Sequence, residues 1–420
     1  MLTRQRYIAS LLLGYLFLHL VLWYVRESYR PSMPQLPLID YPRIGIAGIG
    51  EHTPDTLCVT GITPLDEMYE ASFIFNTILN NIPTYYIAYE PPFVLRCPRT
   101  LLVAERYTPV DRISEALTFI KQAPFKTKPW VGLIMLSDED CRAYHPIYRD
   151  FDFVYRSYQC SQQQSDLYPN TFYLPLGFAS IFSKIPATTE LAAKDRSIFC
   201  FFGGDPKSNI ERRLMLQSFN VGDWEKRLEE RKRNRKLKKT NVEDPKLQYL
   251  QWGPTVEEVF QTHHWSGKCT IKATTGNYPK AQSPLEYKSL LAHTAFALCP
   301  SGFSTEQFRI YEALEVGAIP VINASHALVK FKFPHIKPPP FPAVSSFETA
   351  ALMREVIRPL LQDASALDQL QERSLHWWSQ TKEGLRNHLM QSIHDYEEKQ
   401  KHSNGDSHQD ADKRSIRRSE

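Results

Sequence analysis

FALCPSGFSTEQFRIYEALEVGAIPVI, residues Phe296 to Ile322, reads as strand, tight turn, helix, tight turn, strand. Thr294 to Leu298 is a short apolar run, and Cys299-Pro300-Ser301-Gly302 stops it with turn chemistry. Ser304 followed by Gln307 has the form of a capping box and predicts a helix start there. Phe308, Tyr311 and Leu314 recur at helical spacing, Gly317 supplies the C-cap, and Ala318 to Ile322 is a second buried strand. A parallel strand–helix–strand unit aims its helix N-terminus, with free N–H groups and a positive dipole end, at the carboxyl edge of the sheet. Ligands of open α/β sheets bind at that edge. Arg309 and Glu312 lie three apart on one helix stripe, suited to a diphosphate and to sugar hydroxyls. The competing reading is a surface ladder of Glu306, Arg309 and Glu312.

This run resembles the donor-binding signature of exostosin-like glycosyltransferases, and is most like their ribitol-phosphate xylosyltransferase branch. Other segments agree with it. DRSIFCFFGGDPKSNIERRLML, Asp195 to Leu216, is similar to that family's first donor-domain strand and loop, where a glycine precedes a basic helix start. DFDFVYRSYQC and TFYLPLGFA resemble its interdomain link, and LIMLSDEDC a strand and acidic turn of its acceptor domain. IGIAGIGEH has a weaker counterpart near its N-terminal core. The resemblance implies an α/β chain with a GT-B-type pair of Rossmann-like domains behind one N-terminal transmembrane helix. It implies a UDP-sugar co-substrate, with xylose the best donor, and a glycan acceptor such as ribitol-phosphate on a glycoprotein.

The expected organisation follows. Residues 1–6 form a cytosolic tail and 7–25 a signal anchor. Tyr7 to Val25 is a charge-free stretch of 19 residues, preceded by Arg4 and Arg6 and bounded by interfacial aromatics. A cleaved signal peptide is the rival, but Arg26-Glu27-Ser28 offers no small-x-small cleavage site. With the N-terminus cytosolic, the body faces the lumen as in type II Golgi enzymes. A proline-bearing stem spans 26–43, an acceptor-side domain 44–187 and a donor-side domain 197–356. Helices are expected over 357–398 and a disordered polar tail over 399–420. Val110 to Gln122 predicts a helix and Val131 to Leu136 a buried strand.

The formal net charge of +4 misleads. Arg231 to Lys239 alone holds seven basic residues, so the rest is slightly acidic. That block reads as a solvated helix extension of Trp224–Lys239, not a nucleic-acid arm. Seven cysteines are present, and Cys200 and Cys299 fall in predicted core strands, where a buried free thiol is expected. Asn323-Ala324-Ser325 is the one glycosylation sequon. Asp138-Glu139-Asp140 and Asp150-Phe151-Asp152 have the D-x-D form that metal-dependent transferases of the other main fold use, but neither lies near the donor signature. No metal or other cofactor is expected to be required. Helix dipoles and basic side chains serve the diphosphate instead.

Transfer needs stabilisation of a departing diphosphate and, for inversion, a base for the acceptor hydroxyl. Arg309 is the first candidate for the phosphates, Arg212 the second with Arg213 its adjacent rival, and Gly203 shapes the loop. Ser301, Gly302 and Thr305 would donate around the phosphates and Glu312 would bind ribose. The base is expected from the N-terminal domain. Glu51, beside His52, and Glu139, between Asp138 and Asp140, lead, with Asp152 and His145 next. Expected partners are the UDP-sugar, the acceptor, the Golgi membrane and other glycosyltransferases in complex. The alternatives are a transferase using another UDP-sugar on a matrix or wall polysaccharide, and a catalytically silent membrane-tethered partner of another transferase.

Overall fold

In the computed structural model, residues 57–62, 68–80, 82, 84–88, 98–123, 128–139, 146–158, 168–183, 191–205, 208–219, 248–251, 268–273, 283–360 and 365–416 are described. The expected anchor, the stem, the Trp224–Lys239 helix with its basic block, Glu51 and His145 lie outside them. Among the described residues, no helix is long and apolar enough to cross a membrane.

The runs Leu57–Gly61, Trp130–Leu136, Phe153–Arg156 and Thr294–Cys299 become strands buried along their whole length, as the interior of a parallel sheet requires. The first sheet contains β1 (Leu57–Gly61), β2 (Thr84–Ala88), β3 (Arg99–Glu105), β4 (Trp130–Leu136), β5 (Phe153–Arg156) and β6 (Thr171–Tyr173). Their spatial order is β2-β1-β3-β4-β5-β6, and every pair is parallel. The order reverses between β1 and β3, the kind of switch point at which open sheets form crevices. Helix α1 (Val110–Gln122) covers one face through Ile113, Ala116, Leu117 and Ile120, at helical spacing. All seven residues of β4 are buried.

The second sheet contains β7 (Ile198–Gly204), β8 (Gln248–Gln251), β9 (Lys268–Ala273), β10 (Thr294–Cys299), β11 (Ile319–Asn323) and β12 (Ala343–Val344). They lie in the order β12-β11-β10-β7-β9-β8, with β8 antiparallel to β9 and the other pairs parallel. Helices α2 (Ile210–Ser218), α3 (Pro284–Ala292) and α4 (Phe308–Glu315) connect or flank these strands. Gly317 ends α4 at φ 74°, and Ala318 donates back to the Ala313 carbonyl at 2.8 Å. That left-handed turn suits a residue without Cβ and delivers the chain directly into β11.

Two expectations need correction here. Cys200 is not a free thiol. It stands directly opposite Cys269 on the neighbouring strand and is disulfide-bonded to it, a pairing hidden in sequence by a separation of 69 residues. Cys58 is also disulfide-bonded, whereas Cys299 is a buried free thiol. Nor does the polar C-terminus lose its structure at Lys399. The final helix, α5 (Ala366–Ile416), continues through it to Ile416. Extending a formed helix requires no new nucleation, so a polar sequence can follow an anchored one.

The anchored part of α5 joins the two halves. Trp378 stacks on Phe73 at 5.7 Å and meets Tyr311 at 5.1 Å. Its indole N–H donates to Glu315 at 2.6 Å, and Lys382 approaches the same carboxylate at 2.8 Å. Further along, Arg386 donates to the Thr77 carbonyl and His388 pairs with the Tyr155 hydroxyl of the first sheet.

Candidate active site

The carboxyl edges of both sheets meet around the start of α4. That helix begins at Phe308, three residues later than the capping box implied, with Gln307 as N-cap in place of Ser304 and no side-chain cap. The intervening residues are drawn elsewhere. Ser304 accepts from the Glu306 N–H, and Gln307 accepts from Arg212 at 2.7 Å. Glu306 is buried and accepts from the Tyr173 hydroxyl, the Tyr311 hydroxyl and the Leu176 N–H. Burial raises its pKa despite these donors. Glu312 is buried as well, accepting from Tyr287 at 2.9 Å and, at 3.4 Å, from Ala179 N–H. The surface ladder is therefore excluded, since both glutamates point into the body.

Arg309 and Arg212 converge on one ring. Their guanidinium carbons lie 4.8 and 5.7 Å from the centroid of Phe202. Arg309 donates to the Gly203 carbonyl, while Arg212 donates to the Asp205 carbonyl and Gln307. Buried Nε and Nη1 of Arg309 and Nε of Arg212 have no partner among the described residues. Burial, then the Arg309 charge, brings Arg212 down to about 9. Two like charges held this close favour an anion between or above them. Glycine makes room for them. A Cβ on Gly204 would sit 2.8 Å from Arg309 Nη2, and one on Gly302 2.9 Å from Arg212 Nη2. Arg213, the adjacent rival, is exposed on the other face of α2.

The loop between β10 and α4 departs from expectation. The Ser301 N–H donates to Glu211 at 2.7 Å and the Gly302 N–H to the Ser304 carbonyl at 2.9 Å. Neither amide is the open phosphate donor that the turn chemistry suggested, because Glu211 caps the loop from α2. Thr305 is half-buried beside it. Glu211 also accepts from the Asn323 side chain, which ties the sequon asparagine to the loop.

Across the junction, Asp138 is buried and salt-bridged to Arg156. Glu139 is half-buried and accepts from Tyr158 at 3.4 Å. Asp152 accepts from the Val131 N–H at 2.7 Å, a strand-end role. Both D-x-D triplets thus contribute carboxylates to internal structure. Among the described residues, no group of three or more His, Cys, Asp or Glu is placed to hold a metal ion.

A carboxylate that periodicity did not single out occupies this edge. Glu70 is 1% exposed, accepts from Ser137 Oγ at 2.7 Å, and keeps Oε2 without a partner. Burial is the main reason its pKa rises to about 7. Ser137 and Tyr158, at φ 58° and 64°, are the only non-glycine positive-φ positions among the described residues, and both follow strand ends here. The one sequence signal was position, since Glu70 follows an apolar strand after a loop.

Residues 253–396 match the RXYLT1 C-terminal domain family. The match includes α3, α4, the loop before α4 and Arg309, and agrees with the exostosin-like resemblance read from the same residues. No curated protein matches the chain. Among solved structures, the chain is similar to an alpha-glucosyltransferase in complex with UDP-glucose and DNA containing an abasic site. The two share 11% identity and a TM-score of 0.42 over 77% of this chain and 95% of that one. It is also similar to Anabaena Alr3699/HepE in complex with UDP and glucose, at 10% identity and TM-score 0.43 over 81% and 99%.

Proposed function

We propose that this chain is a UDP-sugar-dependent, inverting glycosyltransferase of GT-B plan, transferring xylose to a polyol-phosphate or glycan acceptor. The observation that carries the reading is the Arg212–Arg309 pair, aimed with unpartnered buried nitrogens at one sheet edge within or beside the RXYLT1 C-terminal domain. Such a pair would hold the two phosphates of UDP and receive the charge that develops as the sugar departs. No divalent metal takes part in this proposal. Glu312 would meet the ribose only if its bonds to Tyr287 and Ala179 opened, so its part is secondary. The type II Golgi arrangement is proposed from the apolar run Tyr7–Val25 and its arginine flank.

The test is calorimetric titration of the full chain with UDP, together with UDP release from a panel of UDP-sugars with and without EDTA. Tight UDP binding and release from UDP-xylose above the other sugars are expected. A chain that neither binds UDP nor releases it would be the silent partner instead. Protease added to sealed microsomes should spare everything beyond the stem, and digestion there without detergent would remove the Golgi reading.

A further inference from the structure

We infer that Glu70 Oε2 is the atom that takes the proton from the acceptor hydroxyl. This deepens the transferase reading and rests on it. The loop carrying Glu70 is fixed against the donor helix at several points. Tyr69 meets Phe308 ring to ring at 6.4 Å, and the Ser180 hydroxyl donates to the Tyr69 carbonyl at 2.8 Å and receives the Ser72 N–H at 3.1 Å. The adjoining Ala179 N–H reaches Glu312 of the same helix. Glu70 is thereby placed at the N-terminal sheet's edge, beside the start of the helix whose next residue is Arg309. A buried carboxylate oxygen without a donor is costly unless a ligand proton meets it. Its other oxygen is held by Ser137, whose left-handed backbone turns its hydroxyl onto Glu70 at the end of β4. The groups acting on this site are Glu105 from β3, Ser137 from β4, and Tyr158 after β5, with Glu139 and Glu306 on Tyr158 in turn.

The step balances. The acceptor oxygen bonds to the anomeric carbon, the bond from that carbon to the diphosphate oxygen breaks, and its electron pair leaves with UDP. The hydroxyl proton passes to Glu70 Oε2. The donor and acceptor of the transferase reading supply everything consumed.

The experiment measures UDP release from UDP-xylose by the full chain, with water or ribitol 5-phosphate as acceptor, across pH 5 to 9. Glu70→Gln should lose roughly 10²- to 10⁴-fold in rate, while its UDP affinity stays within about twofold of wild type. Sodium formate should restore part of the rate. The wild-type rate should fall with acidity below about pH 7, and Ser137→Ala should move that limb upward, because the hydroxyl stabilises the ionised form. Near-normal turnover of Glu70→Gln, or a limb unmoved in Ser137→Ala, overturns the assignment of Glu70. UDP affinity in Arg309→Ala is the separate arm. If it is unchanged, the donor reading fails, whatever Glu70 does.

Discussion

The carboxyl edge of the C-terminal sheet gathers Arg212 and Arg309 around Phe202, whereas the corresponding edge of the N-terminal sheet gathers Glu70 and Glu139 near Ser137 and Tyr158. Both edges hold buried groups whose charges are incompletely matched, but with opposite signs. Arg212 is pushed down by burial and by its arginine neighbour, and Glu70 is pushed up by burial. Each shift makes the ionised form less favourable in the folded protein and so marks a place where a ligand of opposite charge, or a proton, would relieve it. One edge is suited to an anion and the other to a proton.

The sharpest break of that contrast is removal of the cationic edge. Arg212→Ala with Arg309→Ala should cost more UDP affinity than either change alone. Each charge-assisted pair to phosphate is worth roughly 1.5–3 kcal/mol. The two should be non-additive, because loss of one arginine relieves the other of its repulsion. Strict additivity in calorimetric titrations would mean that they do not share a ligand.

The acidic edge answers to pH rather than to nucleotide. The folded-state pKa of Glu70 lies above its usual 4.5, at about 7, so the folded chain binds its proton more tightly than the unfolded chain does. The stability this gives is present below 4.5 and is lost as pH rises through 7. Glu70→Gln carries no such charge. Relative to wild type it should gain about 2–3 kcal/mol in unfolding free energy between pH 5 and pH 8. A denaturant series at the two pH values measures this, and a gap that does not change with pH would leave Glu70 as an ordinary solvated acid.

Gly302 sharpens the comparison from the loop side. A Cβ there would meet the Gln307 side-chain amide at 2.7 and 2.9 Å and Arg212 at 2.9 Å. These are side-chain ends, so Gly302→Ala should fold but displace the Arg212 guanidinium, weakening UDP binding by about 1 kcal/mol, the worth of an ordinary hydrogen bond. Its effect should vanish in an Arg212→Ala background. An effect that persists there would mean that the loop itself, not the arginine, meets the nucleotide.

What the sequence disclosed differs between the edges for a physical reason. The strand–turn–helix–strand around Phe296 to Ile322, the helix over Val110–Gln122 and the strand through Val131–Leu136 carry their signals locally, as apolar period and turn residues. Arg309 was legible because it lies on that unit. Glu70 was not, because what singles it out is a hydroxyl 67 residues away and the burial that tertiary packing imposes. The Cys200–Cys269 bond was hidden likewise, since it depends on strand order. The late start of α4 has the same origin. Tyr173, Leu176 and Arg212 take hold of Glu306 and Gln307, and long-range partners override a local cap.

Arg212 and Arg213 form the finest comparison, two adjacent arginines that sequence reasoning could not separate. Successive helix residues point about 100° apart, so only one can face the β7 edge. Arg212 is 6% exposed and reaches Asp205 and Gln307, whereas Arg213 stands in solvent. Arg213→Ala should therefore change UDP affinity and stability by less than about 0.5 kcal/mol, the ordinary range for an exposed substitution. Arg212→Ala measured beside it should show the larger loss. Because the pair share one helix turn and one charge, this contrast controls for long-range electrostatics, which salt screens alike for both. An equal loss in the two variants would mean that α2 acts on the nucleotide only as diffuse positive charge. The geometry around Phe202 would then not be the binding site.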